Sequence, residues 1–258
     1  MLTDFGHVDP YVGIMKAVML GISPGSRFID LTHEVPPQSV AVGALLLDGA
    51  VSYLPSGCVV LVVVDPGVGT PRRPIAVKAG GFYFVAPDNG VLSMALSRFD
   101  AVETVELVEE AYRLQNPSHT FHGRDIFSPA AAYLAAGVEL SELGPSAHDL
   151  LMGRIAQAQR FAQGWVGEVL HIDHFGNAIT NIQGSLCPVG ATLELSDGRR
   201  VTVGRTYGEV PLGAPVALVG STGRLEVSVN GGSAAAVLGL DLGSSLRLFN
   251  DVRSDSHL

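Results

Sequence analysis

The stretch CVVLVVVDPGVGTPRR, from Cys58 to Arg73, decides the fold. It opens with seven apolar residues, Cys58 to Val64, a pattern typical of a strand buried on both faces of a parallel sheet. Asp65 follows where that strand should end, and ligands of open α/β sheets bind outside the carboxyl ends of the strands. Asp65 is therefore either a turn former before Pro66 or part of a site that includes the loop with Arg72.

Strand and helix signals alternate around this stretch as far as residue 150. They predict helices after Asp9-Pro10, after Ser39 and over 126–136, a strand over 27–31, and a β-hairpin at Gly80-Gly81. Such alternation predicts a three-layer α/β domain with a largely parallel sheet.

From Trp165 onward, short strands and glycine turns replace the helical signals, and Asp197-Gly198 predicts a hairpin. The strand candidates are 166–172, 177–182, 192–195, 200–203, 216–219, 225–229 and 245–249. We therefore expect an α/β domain over 1–150, a linker over 151–164, and an all-β, barrel-like domain over 165–258.

The composition limits the class of partner. The chain has 258 residues, of which 47% are hydrophobic and only 16% charged, as in a compact globular protein. A net charge of −9 without a basic run argues against nucleic acid or an anionic membrane surface as partner. The expected partner is a small molecule.

The cysteines and the first residues indicate the compartment. Cys58 and Cys187 form neither a disulfide framework nor a metal-ligand spacing, so free thiols are expected. The opening MLTDFGHVD is charged where a signal peptide is apolar, and no apolar run approaches the ~20 residues of a membrane span. We expect a cytoplasmic protein.

Polar residues gather at the predicted strand ends, notably Asp4, Asp65 and the loop His119–Asp125. If the strands are parallel, these ends share one rim, which favours a site over isolated turns. His119 and His122 could join Asp65 as metal ligands, but no HExxH or CxxC spacing supports a metal. Polar residues at 171–177, 207 and 221–223 of the β region fit turns as well as a site.

Five motifs carry a family resemblance. LTDFG..DPYVG.MK, VDPGVGT.RR, PDNGVL, TFHGRDIFSPAAAYLAAG and IDHFGNAITNI occur in this order over nearly the full length. Together they resemble the S-adenosyl-L-methionine hydroxide adenosyltransferases, which are related to fluorinating and chlorinating enzymes. The resemblance implies an α/β domain followed by a β-barrel-like domain. It also implies a homotrimer that binds its substrate between neighbouring subunits.

The resemblance also implies an activity and a set of residues. The reaction is hydrolysis of S-adenosyl-L-methionine (SAM) to adenosine and L-methionine without a cofactor. Asp65, Arg72 and His122 match the residues that activate the water. The matched substrate-binding residues are Asp4 for the ribose hydroxyls, Asp173 for the methionine ammonium, Phe175, Asn177 and Tyr207 for adenine, and Ser221 for the carboxylate.

Departures from the pattern leave alternatives. Thr222 stands where the halogenating relatives have an arginine, which leaves Arg224 as the candidate cation for the carboxylate. Those relatives have an uncharged residue at the position of Asp65 and lack His122, so water is favoured over a halide. The rival interpretations are a chlorinase-type halogenase, a metal-dependent hydrolase using Asp65, His119 and His122, and a non-catalytic SAM- or adenosine-binding protein.

Overall fold

A computed structural model describes residues 1–153 and 156–249, and the chain divides into two compact units, Met1–Arg154 and Ile155–Leu258. The first unit contains the strands β1 (Leu2–Thr3), β2 (Val59–Val63), β3 (Pro74–Ala79), β4 (Phe82–Pro87) and β5 (Val102–Glu106). Its helices are α1 (Tyr11–Ile22), α2 (Val40–Val51), α3 (Ser93–Leu96) and α4 (Ser128–Ala135).

The sheet of the first unit is mixed, with the strand order β1-β2-β4-β3-β5. β2 pairs in parallel with β1 and β4, whereas β3 pairs antiparallel with β4 and β5. The three-layer α/β class is confirmed. The parallel part is smaller than expected, because the predicted hairpin at Gly80-Gly81 sets β3 antiparallel to β4.

Strand β2, the second of the five strands in the sheet, separates two apolar layers. Leu61 and Val63 pack with α1 and α4, and Val60 and Val62 pack with α2 and α3. Alternate residues of a strand point to opposite faces, so a strand covered by helices on both sides needs apolar residues throughout. The sequence of β2 is therefore apolar without interruption because helices cover both of its faces.

The strand predicted over 27–31 does not form. This segment contacts the residue before β1 through hydrogen bonds from Leu31 N to Met1 O at 2.8 Å and from the N-terminal ammonium to Ile29 O at 2.5 Å. A single bridge joins Leu2 of β1 to Thr32, just after the segment. Because β1 contributes only two residues, the contact does not extend into a ladder.

The helix predicted over 126–136 begins earlier and irregularly. A π-helical turn, Gly123–Phe127, precedes α4. Pro129 has no N–H to offer the carbonyl of Asp125, which accepts a hydrogen bond from Leu114 N at 2.9 Å instead. The widened turn is closed by a hydrogen bond from Ser128 N to Gly123 O, and such turns are frequent at functional sites.

Within residues 156–249, the second unit contains one α-helix and eight strands. These are α5 (Ala234–Leu238), β6 (Gln159–Phe161), β7 (Gly164–Ile172), β8 (Ala178–Gln183), β9 (Thr192–Leu195), β10 (Arg200–Thr202), β11 (Pro215–Val219), β12 (Arg224–Val229) and β13 (Ser245–Phe249). All seven predicted strands are present. β6, which lies within the range expected as a linker, and α5 were not predicted.

The strands of the second unit form one antiparallel sheet in the order β10-β9-β13-β7-β8-β12-β11, with β6 beside β7. The long strand β7 pairs with β13 in its first half and with β8 in its second, with a bulge between Val169 and His171. A bridge from Val203 to Ala217 joins the two ends of the sheet. The sheet therefore nearly closes into a barrel around its own apolar core.

Among the helices that the structure describes, none is long and apolar enough to cross a membrane.

Candidate active site

Asp65 lies two residues after the last residue of β2, at the carboxyl end of that strand. Its backbone carbonyl accepts a hydrogen bond from Val68 N at 3.2 Å, so the backbone forms the turn. The carbonyl of Val64 accepts from Asn89 Nδ2 at 2.8 Å, which fixes the strand end to the loop after β4. The carboxylate of Asp65 is not needed for the turn, and its side chain is only 6% exposed.

Arg72 joins Asp65 to His122. Its Nε donates to both carboxylate oxygens of Asp65, at 2.9 and 3.0 Å, and its Nη2 also contacts Oδ2. The same Nη2 lies 2.8 Å from Nδ1 of His122, and the guanidinium lies over the ring of Phe127, 5.1 Å from its centroid. One cation therefore holds a carboxylate and an imidazole in a fixed arrangement.

The contact with Arg72 determines where the proton of His122 resides. Burial first, and then the charge of Arg72, lower the pKa of His122 below its ordinary value of 6.5, so its ring is neutral at neutral pH. A guanidinium can only donate hydrogen bonds, so Nδ1 of His122 must be the acceptor. The neutral ring then carries its hydrogen on Nε2, where it can donate to another group.

Arg72 has a further donor that is not used. Its Nη1 is enclosed and has no hydrogen-bond partner among the described residues, and the side chain is only 8% exposed. A buried polar group without a partner is costly, and in native proteins it usually meets a water, an ion or a ligand. This donor marks a place for a small polar molecule beside the carboxylate and the imidazole.

Gly69 brings the two loops of this cluster together. It has φ +76°, in the left-handed region that favours glycine, and a Cβ placed on it would lie 2.6 Å from the carbonyl oxygen of His119. The loop that carries Arg72 can therefore approach the segment that carries His122 only because residue 69 is glycine.

Asp4 lies at the same edge of the sheet. It follows β1, whose Thr3 is aligned with Val63 of β2, and one of its carboxylate oxygens accepts a hydrogen bond from Gln38 N at 2.7 Å. Burial raises the pKa of Asp4, and the nearby charge of Asp65 raises it further. The first unit thus gathers four of the sequence-predicted site residues.

The second unit gathers another group at the turn between β7 and β8. Asp173 Oδ1 accepts hydrogen bonds from Phe175 N at 2.9 Å and Asn177 N at 2.8 Å, and Oδ2 accepts from Asn177 Nδ2 at 2.9 Å. Asn177 is buried, whereas the ring of Phe175 is exposed. Here the carboxylate does shape the turn, unlike that of Asp65.

A cavity of about 450 Å³ adjoins this turn, and Tyr207 is one of its walls. The hydroxyl of Tyr207 donates to Glu226 Oε1 at 2.6 Å, and this hydrogen bond raises the pKa of Tyr207 to about 12. The lining residues are Phe175, Asn177, Tyr207, Val229, Gly231 and Gly232. The three residues predicted to contact adenine therefore share one cavity.

Ser221 lies in the exposed turn between β11 and β12 and does not line that cavity. Arg224, the candidate cation, is only 8% exposed at the start of β12. A separate cavity of about 450 Å³ in the first unit lies near Met1 and Val59, at the other end of β2, and contains none of the predicted site residues. Cavity volume alone would therefore not have identified the Asp65 cluster, where the charged groups meet.

Comparison with known proteins identifies the family of this chain. The family model "SAM hydroxide adenosyltransferase N-terminal domain" matches residues 1–144, and "SAM hydroxide adenosyltransferase C-terminal domain" matches residues 167–247. The chain belongs to the SAM hydroxide adenosyltransferase family.

Two similar members of the SAM hydroxide adenosyltransferase family are named (R)-S-adenosyl-L-methionine hydrolase. The one from Thermus thermophilus is 45% identical over 96% of this chain and 97% of its own, and the one from Salinispora tropica is 43% identical over 95% of each. Relatives named fluorinase are more distant, at 26–28% identity. A solved structure of an uncharacterized conserved protein from Thermotoga maritima has a TM-score of 0.91 and 36% identity, covering 96% of this chain and 98% of that one.

The geometry does not favour the metal interpretation. His119 is exposed, and Arg72 stands between Asp65 and His122. Within residues 1–153 and 156–249, no group of three or more His, Cys, Asp or Glu side chains is arranged to hold a metal ion.

Two residues that contribute to these clusters, Gln38 and Glu226, were not predicted from the sequence. Gln38 supplies the backbone N–H to Asp4 from a left-handed conformation, φ 65°, which no motif signals. Glu226 is only 7% exposed in the middle of β12. Its carboxylate lies in a strand whose other residues are mostly apolar, and this sequence signal could have identified Glu226.

Proposed function

We propose that this chain hydrolyses SAM to adenosine and L-methionine by in-line attack of water on C5′ of the ribose. The observation that carries the proposal is the continuous contact from Asp65 through Arg72 to His122. The names of relatives at 34–45% identity support the choice of substrate.

The chemistry sets what the site must provide. As the C5′–S bond breaks, its electron pair passes to sulfur, so methionine leaves as a neutral thioether and needs no general acid. As the C5′–O bond forms, the water loses one proton. The protein must therefore supply a proton acceptor and donors that orient the water in line with the departing sulfur. No cofactor is needed in this scheme.

The cluster can fill these roles. We assign the proton acceptor to Asp65, and the donors to Nε2–H of His122 and the unpartnered Nη1 of Arg72. Arg72 also holds the carboxylate and the imidazole at a fixed separation, which is the pre-organisation that a nucleophile site requires. His122 orients the water rather than deprotonating it, because its Nδ1 already accepts from Arg72.

An anionic carboxylate beside the nucleophile favours water over a halide. At 4 Å and an effective dielectric of 20, two like charges repel by about 4 kcal/mol, and Arg72 offsets part of this. The proposal therefore places the chain with the hydrolases rather than with the more distant fluorinases.

We extend the proposal to the other predicted residues. Asp4 binds the ribose hydroxyls, Asp173 the methionine ammonium and Ser221 the carboxylate, while Phe175, Asn177 and Tyr207 bind adenine. We also propose, as the family resemblance implies, a homotrimer in which neighbouring subunits complete each site. The exposed aromatic ring of Phe175, beside the adenine cavity, supports this assembly. We propose further that the protein is cytoplasmic.

Product analysis tests the proposed function. The protein is incubated with SAM, with and without chloride and with and without a chelator, and the products are separated by chromatography. We expect adenosine and methionine in equal amounts under all four conditions. A 5′-chlorinated nucleoside would indicate the halogenase, and loss of activity with chelator the metal-dependent hydrolase. SAM retained without product would indicate the binding protein.

A further inference from the structure

The turn between β7 and β8 fixes the side chain of Asn177 unusually well. Asp173 N donates to Asn177 O at 3.0 Å, and the Asp173 carboxylate accepts from both the backbone N–H and the side-chain amide of Asn177. Asn177 is only 7% exposed and lines the cavity that it shares with Tyr207. Its amide therefore has little freedom to rotate.

The chemistry of the carboxylate decides which end of this amide faces the cavity. An ionised carboxylate only accepts hydrogen bonds, so the group of Asn177 that meets Asp173 must be the NH₂. The amide oxygen then points away from Asp173, and it accepts no hydrogen bond from the described residues. Because Asn177 lines the cavity, this oxygen is the hydrogen-bond acceptor that its side chain can offer to a bound ligand.

A fixed acceptor distinguishes two kinds of purine. A 6-amino group donates hydrogen bonds, so it can pair with the amide oxygen of Asn177. A 6-oxo group can only accept hydrogen bonds, so it would face the amide oxygen of Asn177 with no hydrogen bond between them. Buried polar groups that are left unpaired strongly reduce the affinity for a ligand.

We infer that Asp173 is a positioning residue that makes this cavity select a 6-aminopurine over a 6-oxopurine, by fixing which end of the Asn177 amide meets the base. The inference rests on the proposed function only for the purine nucleoside as ligand. It gives Asp173 a second role, which is compatible with binding the ammonium of methionine because a carboxylate has about four acceptor positions and three are used here.

The substitution Asp173→Asn tests this directly. An asparagine oxygen can still accept from the backbone N–H groups of Phe175 and Asn177, so the turn is kept. Its NH₂ can donate to the amide oxygen of Asn177, which allows that amide to turn over and present NH₂ to the base. The variant should therefore accept a 6-oxo group.

Binding of adenosine and inosine to the full chain is measured by titration calorimetry, which needs no turnover. We expect the wild type to bind adenosine at least about tenfold more tightly than inosine. In Asp173→Asn, inosine should bind more tightly than it does to the wild type, and the adenosine preference should fall at least about fivefold. Asp197→Asn is the matched control, because Asp197 also accepts a hydrogen bond from a backbone N–H in a turn between strands but does not line this cavity, so the ratio should stay unchanged.

Asn177→Ala provides a second variant if Asp173→Asn does not fold. It should weaken both nucleosides and remove the preference. A wild type without preference or without binding, an Asp173→Asn with the wild-type ratio, or an Asn177→Ala that still discriminates would each overturn the inference. Discrimination by a wild type that does not hydrolyse SAM would leave the inference standing and refute the proposed function alone.

Discussion

The substitution Gly69→Ala should reduce turnover without touching any charged group. The new Cβ would lie 2.6 Å from the carbonyl oxygen of His119, and this backbone atom cannot rotate away. The two loops must therefore separate by about 0.8 Å to reach 3.4 Å, the shortest ordinary contact. A comparable displacement would lengthen the 2.8 Å contact between Arg72 and His122 beyond hydrogen-bond range. Misplacement by about 1 Å can cost up to about a hundredfold, so we expect kcat to fall about tenfold to a hundredfold.

The assay is the rate of adenosine formation at saturating SAM, with the melting temperature measured in parallel. Gly57→Ala is the matched control, because Gly57 has a similar φ, +83°, and no described residue apart from its chain neighbours lies within 4 Å of the added Cβ. Both variants bear the strain of a left-handed alanine, about 1–2 kcal/mol, but only Gly69→Ala separates the loops. A folded Gly69→Ala with the wild-type kcat, or an equal loss of kcat in Gly57→Ala, would refute the reasoning.

Three further predictions concern individual groups. Asp65→Asn should lower kcat by about 10²- to 10⁴-fold with a far smaller change in KM. Asp88→Asn, which weakens a neighbouring Asp–Arg pair whose carboxylate is buried, should lose stability but keep kcat. An unchanged kcat in Asp65→Asn, or an equal loss of kcat in Asp88→Asn, would contradict the assignment. Because the pKa of His122 is lowered, His122 stays neutral above neutral pH and kcat should not change there through its ionisation. As the pH is lowered, kcat should begin to fall only below pH 6.5, where protonation removes the acceptor for Arg72, and His122→Asn should lack this decline. A wild-type kcat that already declines above pH 6.5 would contradict the role of neutral His122. Glu226→Gln should lower the pKa of Tyr207 from about 12 towards 10. The pKa is measured from the tyrosinate absorbance as the pH is raised, and Tyr207→Phe identifies the part of the signal that belongs to Tyr207. The same pKa in Glu226→Gln and the wild type would disprove the role of Glu226.

Local sequence signals were sufficient for most of the fold. The apolar run before Asp65 predicted a doubly covered strand, because both faces of β2 meet helices. Gly80-Gly81 and Asp197-Gly198 predicted hairpins, because these turns need residues that accept left-handed or tight conformations. The strand expected over 27–31 did not form, since strand propensity cannot substitute for a neighbour long enough to pair with.

The site was predictable in its parts but not in its connections. Asp65 could be placed at a strand end, and the family resemblance added Arg72 and His122. Nothing in the sequence shows that one nitrogen of Arg72 contacts two residues that lie 57 positions apart along the chain. The acceptor role of Nδ1 in His122 and the hold of Glu226 on Tyr207 are likewise products of tertiary packing, which short-range patterns do not encode.

The origin of the oxygen in the product tests the central claim most directly. The enzyme is incubated with SAM in heavy-oxygen water, and the masses of the separated products are measured by mass spectrometry. If a water beside Asp65 attacks C5′, adenosine should carry one heavy oxygen at its 5′-hydroxyl and methionine none. Adenosine without the label, or a label found in methionine, would contradict the account.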